Sequence, residues 1–229
     1  FREFKVATGE LQRVNLGTLS PAQQTLFFLN IYNLLSMHAQ IAFGTPTKYQ
    51  ARNFLISMSY NIGGRDFTLD DILHGILLGN SRALPVNPSR GEYSLVPVFG
   101  PGDDRARFAS RSLTNSQSVS IILGANPQLW STQPSNVFYD VEASVDEVLK
   151  GITEAYLTKG VSIDEVNQKV LLPRAIQILR QRLCPVGGPK ELFVQLQEAC
   201  KPSTSPILDR FTAASPLFSV AFVPSPSRL

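Results

Sequence analysis

Apolar residues run almost unbroken over residues 26–41, LFFLNIYNLLSMHAQI, and only Asn30, Asn33, Ser36, His38 and Gln40 add side chains with strong hydrogen-bonding groups beside Tyr32. Leu26, Leu29, Asn33 and Met37 follow one helical stripe, and Phe27, Asn30, Leu34 and His38 follow the next. At about 3.6 residues per turn these stripes predict one buried helix that carries both amides and the imidazole on a shared side. A helix that is apolar all round belongs in a core. Ser20 and Pro21 mark its start as N-cap and first-turn residues, and Gly44-Thr45-Pro46 marks its end.

The same periodicity carries through the rest of the chain. Residues 1–16 predict a short helix, with Phe4, Leu11 and Val14 apolar, and residues 49–57 fit either helix or strand. Residues 60–69 alternate around Gly63-Gly64 and predict a tight hairpin. Thr68 then caps a helix over 69–78, with Asp70 and Asp71 where the dipole favours negative charge. Residues 79–108 are rich in proline, glycine and polar residues and predict a long irregular loop, a length usually tied to function or disorder. The β-branched run 119–123 before Gly124 predicts a buried strand, and 136–140 an edge strand. An amphipathic helix follows over 141–157, a short strand within 161–171, and a helix over 172–183. Residues 185–189 break the chain, helices are expected over 190–199 and 205–213, and 217–223 predict a terminal strand. Long helices with a few strands give an α+β, helix-rich single domain with a small, mostly antiparallel sheet.

Composition adds limits. A hydrophobic share of 43% against 17% charged residues predicts a globular core. The net charge of +3, without a basic stripe interleaved with aromatics, argues against nucleic-acid binding. It permits a membrane surface as partner, but no basic amphipathic helix supports that. No apolar run reaches the roughly 18 uncharged residues that span a bilayer. The chain opens on Phe1 rather than Met, which predicts a segment of a longer protein with flanking domains. Two cysteines, Cys184 and Cys200, suit free thiols in a reducing, cytoplasmic compartment better than a bridge or a redox pair.

Four segments then invite chemistry, each with a plainer alternative. His38 and Asn33 could form a base and its orienter, but buried polar groups are normally satisfied within a fold. His74 could be a general base, or a structural histidine between Leu73 and Leu78. Asp70 and Asp71 could hold a metal, yet adjacent carboxylates in a first turn face apart, and capping accounts for them. Gly63-Gly64 lacks the following lysine of a phosphate-binding loop and reads as a turn.

Several of these segments, in this order, resemble the DUF547 family. Residues 26–38 resemble its F-W-I-N-x-Y-N segment with a trailing histidine. Residues 60–64 and 67–78 resemble its Y-x-I-G-G and S-L-x-D-I-E-H-G-I-L-R segments. Residues 118–124 lie where the family has a strand reading H-F-A-L-x-C-G, and 170–173 and 217–223 resemble later segments. The resemblance implies a fold of the cysteine-peptidase or transglutaminase kind, and a cysteine-hydrolase-like site in which an imidazole supplies thiolate character. At its key positions this sequence departs from the pattern. Leu123 stands for the cysteine, Ser118 for the strand histidine, Leu73 for the glutamate and Leu78 for the arginine, while His74, His38, Asn30 and Asn33 remain.

The expectation is therefore a degenerate, non-catalytic domain with no cofactor and no metal, acting as a protein- or peptide-binding scaffold in a larger intracellular protein. Its contact surfaces would be the former cleft near Leu123, His74, Leu73 and Leu78, and the loop carrying Gly79, Arg82, Arg90 and Arg105. The rival expectation is a hydrolase or transferase with a rearranged site: His74 as base, Asn30 or Asn33 as orienter, and a serine such as Ser118 as nucleophile.

Overall fold

Helix α2 (Pro21–Phe43) forms the spine of the computed structural model, which describes residues 2–46, 50–87, 92–125, 139–173, 176–184, 189–199, 206–214 and 218–223. Ser20 accepts from the Gln23 backbone N–H while the Gln23 side chain accepts from the Ser20 N–H, a reciprocal capping box. Gly44 ends the helix at φ +81°, a backbone region that favours glycine. The helix has 23 residues and no charged side chain, so the bilayer-length limit set from residues 26–41 alone was too short. By length and composition α2 could cross a membrane. In this fold it is the core helix, with Leu26, Phe28, Leu29, Tyr32 and Leu35 fully buried.

Upstream lie α1 (Arg2–Gly9) and two short 3-10 turns, Glu10–Arg13 and Leu16–Thr18. Downstream, the ambiguous stretch forms helix α3 (Ala51–Ile56). The hairpin β1 (Ser59–Ile62) and β2 (Arg65–Thr68) turns on Gly63-Gly64, both at positive φ. Gly63 is closely packed: a Cβ there would lie 2.6 Å from the Val14 carbonyl oxygen.

Within the expected long loop two strands form a second hairpin, β3 (Arg82–Asn87) with β4 (Glu92–Val96), and the stretch ends in a 3-10 turn over Asp104–Phe108. Its prolines obscured it, and the register shifts between Pro85 and Asn87 to accommodate the missing donor.

The expected strand over 119–123 is instead helix α4 (Asn115–Ala125). Thr114 and Gln117 cap it reciprocally, Thr114 Oγ1 accepting from the Gln117 N–H at 3.1 Å and Gln117 Oε1 from the Thr114 N–H at 3.1 Å. That start signal outweighs the β-branched run, and burial on every side explains why the run is apolar but for Ser120, whose hydroxyl is satisfied by Thr153. Of the expected edge strand, residues 136–138 lie outside the described residues, while Tyr139 and Asp140 are not in a strand.

Helix α5 (Val145–Gly160) is followed by β5 (Ser162–Asp164) and β6 (Lys169–Pro173). β6 runs two residues into the stretch expected to be helical, because Leu172 and Pro173 pair with β7 (Ser219–Val223). Helices α6 (Gln177–Leu183), α7 (Pro189–Ala199) and α8 (Pro206–Ala213) complete the order. β5–β6 is antiparallel and β6–β7 parallel, so three small sheets accompany a helical core in an α+β domain. One cluster of buried apolar side chains extends from Leu16 to Phe211.

Candidate functional site

Residues Thr68–Ser81 carry a polar centre at the edge of this core, with Asp70 buried. Thr68 and Asp71 cap each other: Asp71 Oδ2 accepts from the Thr68 N–H and hydroxyl, and Thr68 Oγ1 accepts from the Asp71 N–H. The helix they start is widened into a π-helix over Asp71–Leu77. Its hydrogen bonds reach five residues, from Leu78 N to Leu73 O and from Asn80 N to Gly75 O, each 2.9 Å. π-Helical turns concentrate at functional sites. Here the turn packs against the Phe99 ring, which would lie 2.4 Å from a Cβ on Gly75.

His74 sits on this turn. Its Nδ1 is 3.0 Å from Asp70 Oδ1, and the other oxygen of Asp70 takes the Arg82 guanidinium. Burial, aided by the positive field of Arg182, pushes the His74 pKa down to about 4. At neutral pH the ring is uncharged, so Nδ1–H donates to the Asp70 carboxylate and Nε2 carries the lone pair. His74 has no other side-chain hydrogen bond among the described residues. Arg182 donates to the Leu78 carbonyl at 2.8 Å and the Ser81 carbonyl at 3.3 Å, closing the carbonyls left open at the end of the turn.

Asp70 was expected only to cap. Asp71 does cap, and Asp70 instead orients the imidazole and pairs Arg82. The sequence signal for this was the four-residue spacing of Asp70 and His74 on one helix. The two carboxylates diverge, and no group of three or more metal-ligating side chains stands together among the described residues.

The polar groups of α2 do not converge on His74. Asn33 and His38 are five residues apart, or about 140° around the helix, so the expected shared side is not formed. Asn30 clamps the backbone of Tyr139, donating to its carbonyl and accepting from its N–H, both at 2.7 Å. His38 Nδ1 lies 3.0 Å from the Tyr60 hydroxyl. Asn33 is fully buried, and neither end of its amide has a partner among the described residues.

At the positions where the resemblance places a hydrolase's working groups, the structure is packed. Leu123 is 3% exposed on α4, Leu73 4% and Leu78 2%. Beside Leu123, a Cβ on Gly124 would meet Ile152 at 3.0 Å and Leu29 at 3.4 Å, so α2, α4 and α5 meet closely there. Ser118 is buried on α4. Neither its hydroxyl nor that of any other described residue is hydrogen-bonded to His74. The Cys184 thiol is buried, and Cys200 lies outside the described residues.

The loop cations divide. Arg82 is spent on Asp70, and Arg90 lies outside the described residues. Arg105 pairs with Asp103 and Asp71 and stacks over Phe99, with its guanidinium carbon 4.6 Å from the ring centroid. Gly79, at φ +68°, closes the π-turn where a Cβ would lie 2.9 Å from the Ser110 carbonyl.

The family model described as "Protein of unknown function, DUF547" matches residues 16–157, more than half of the chain. No curated protein and no solved structure matches it.

Proposed function

The chain belongs to the DUF547 family, and we propose that this member is a non-catalytic domain that works by binding another protein or a peptide inside the cell. The observation that carries this is the pairing of an oriented base with no nucleophile. His74 has a fixed tautomer and a lone pair on Nε2, yet no hydroxyl or thiol of the described residues engages it. The position that resembles the family's cysteine holds a buried leucine, Leu123. A leucine has neither a lone pair to attack with nor a proton to give up, and nucleophilic catalysis needs both groups in reach. Burial of Cys184 and the closed packing at Gly124 support the same reading.

The experiment is covalent labelling of the folded chain at neutral pH with iodoacetamide and with a fluorophosphonate, read by intact mass and peptide mapping. Labelling at the slow rate of buried or unactivated groups is expected. Fast modification of a single serine or cysteine, lost in His74→Ala, would overturn the proposal.

A further inference from the structure

A cleft of about 390 Å³ opens beside the first turns of α2, walled by residues 14–17, the β1–β2 turn and the 3-10 turn Asp104–Phe108. It lies apart from His74, and its polar groups are unequally used. Arg65 is committed: Nε donates to Asp104 at 2.6 Å, and a terminal nitrogen donates to the Gly63 carbonyl at 3.0 Å. Arg107 lies over the Phe108 ring, its guanidinium carbon 4.6 Å from the centroid, and donates no hydrogen bond among the described residues. Asn15 accepts through Oδ1 from the Gly17 N–H, which leaves its Nδ2 donors unused. Gln24 donates through Nε2 to the carbonyls of Leu16 and Leu19, which leaves its Oε1 free to accept.

Of the two guanidiniums that line the cleft, Arg65 is paired with Asp104, whereas Arg107 has no ion pair among the described residues. Asp104 is held below its ordinary range chiefly by the hydrogen bond from Arg65, with Arg107 adding to the field. One added carboxylate would give Arg107 the counter-ion it lacks, whereas a doubly charged phosphate would bring a second negative charge towards Asp104. The space suits one side chain with its flanking backbone.

We propose that this cleft receives an aspartate or glutamate side chain from a partner protein. Arg107 supplies the cation, the Asn15 amide a second donor, and Gln24 Oε1 an acceptor for a backbone N–H. The proposal rests on the reading of the domain as an interaction module and names the chemistry of its partner. Among the described residues it also places the loop's binding cation at Arg107 rather than at Arg82 or Arg105.

The test is a ¹⁵N-edited titration of the full chain with acetyl-Gly-Glu-Gly-amide, the same peptide bearing Gln, and inorganic phosphate. The Glu peptide is expected to shift the amides of Asn15, Gly17, Gly63 and Phe108, and the Gln peptide to leave them in place. Arg107→Gln is expected to weaken the Glu peptide by up to about five-fold, as for an exposed ion pair, with the rest of the spectrum unchanged. Equal shifts with Glu and Gln, unchanged binding in Arg107→Gln, or tighter binding of phosphate would each overturn the assignment. Recovered peptide is weighed by mass spectrometry. Absent binding with intact peptide sinks the cleft assignment alone, whereas cleaved peptide sinks the non-catalytic reading.

Discussion

Asp70 is the residue on which the polar centre depends, since one carboxylate serves both His74 and Arg82. Replacing it with Asn keeps the size but removes the charge that faces the partly buried Arg82 guanidinium. Asp70→Asn is expected to cost about 2–3 kcal/mol in urea unfolding, the scale for breaking a mostly buried pair. A loss under 0.5 kcal/mol would show that Arg82 finds another acceptor. His74 gives a separate signature. Its folded pKa of about 4 lies below the ordinary 6.5, so the unfolded chain binds this proton first as pH falls. Its contribution is full above pH 6.5 and is lost progressively towards pH 4, reaching about 3 kcal/mol for a shift of this size. Proton NMR of the ring is expected to show no titration between pH 6 and 7.5, and His74→Gln should flatten the acid limb of the stability curve. A ring that titrates near 6.5 would place His74 in water.

At the scale of elements, local signals were legible where one signal acted alone. The Ser20 capping box and Gly44 fixed α2, and Gly63-Gly64 fixed the first hairpin. They failed where two signals competed. Residues 119–123 are β-branched enough for a strand, but the Thr114–Gln117 cap and burial on all sides make α4. Pro85 of β3 hid a hairpin that tolerates it at a bulge. Pairing with β7, remote in sequence, extended β6 into a stretch that local pattern assigns to helix. Of the His74 centre only the histidine could be named from sequence; Asn30, named as its orienter, clamps the Tyr139 backbone instead, and Asp70 was absorbed by the capping argument. The partners of Asn30 and Arg182 lie 109 and 104 residues away. Thr114→Ala removes the α4 cap and is expected to lower stability by about 1 kcal/mol in chemical denaturation. No change would mean that packing alone selects the helix.

Over the whole molecule, the core outruns the family match. The match ends at residue 157, yet Leu192, Phe193 and Leu196 of α7 and Phe211 of α8 are fully buried in the same cluster. Helix α7 packs on α4, and α8 on α5. A chain cut after residue 160 would expose the faces of α4 and α5 that these helices cover. It is expected to lose cooperative unfolding and become protease-sensitive; a cooperative, protease-resistant fragment would show that the matched region folds alone. The direct check on the central claim is a turnover screen of the intact chain against fluorogenic ester and peptide substrates, with His74→Ala alongside. The account predicts rates at the buffer background for both proteins. Turnover by the native chain that disappears in a folded His74→Ala variant would contradict it and make His74 a working base.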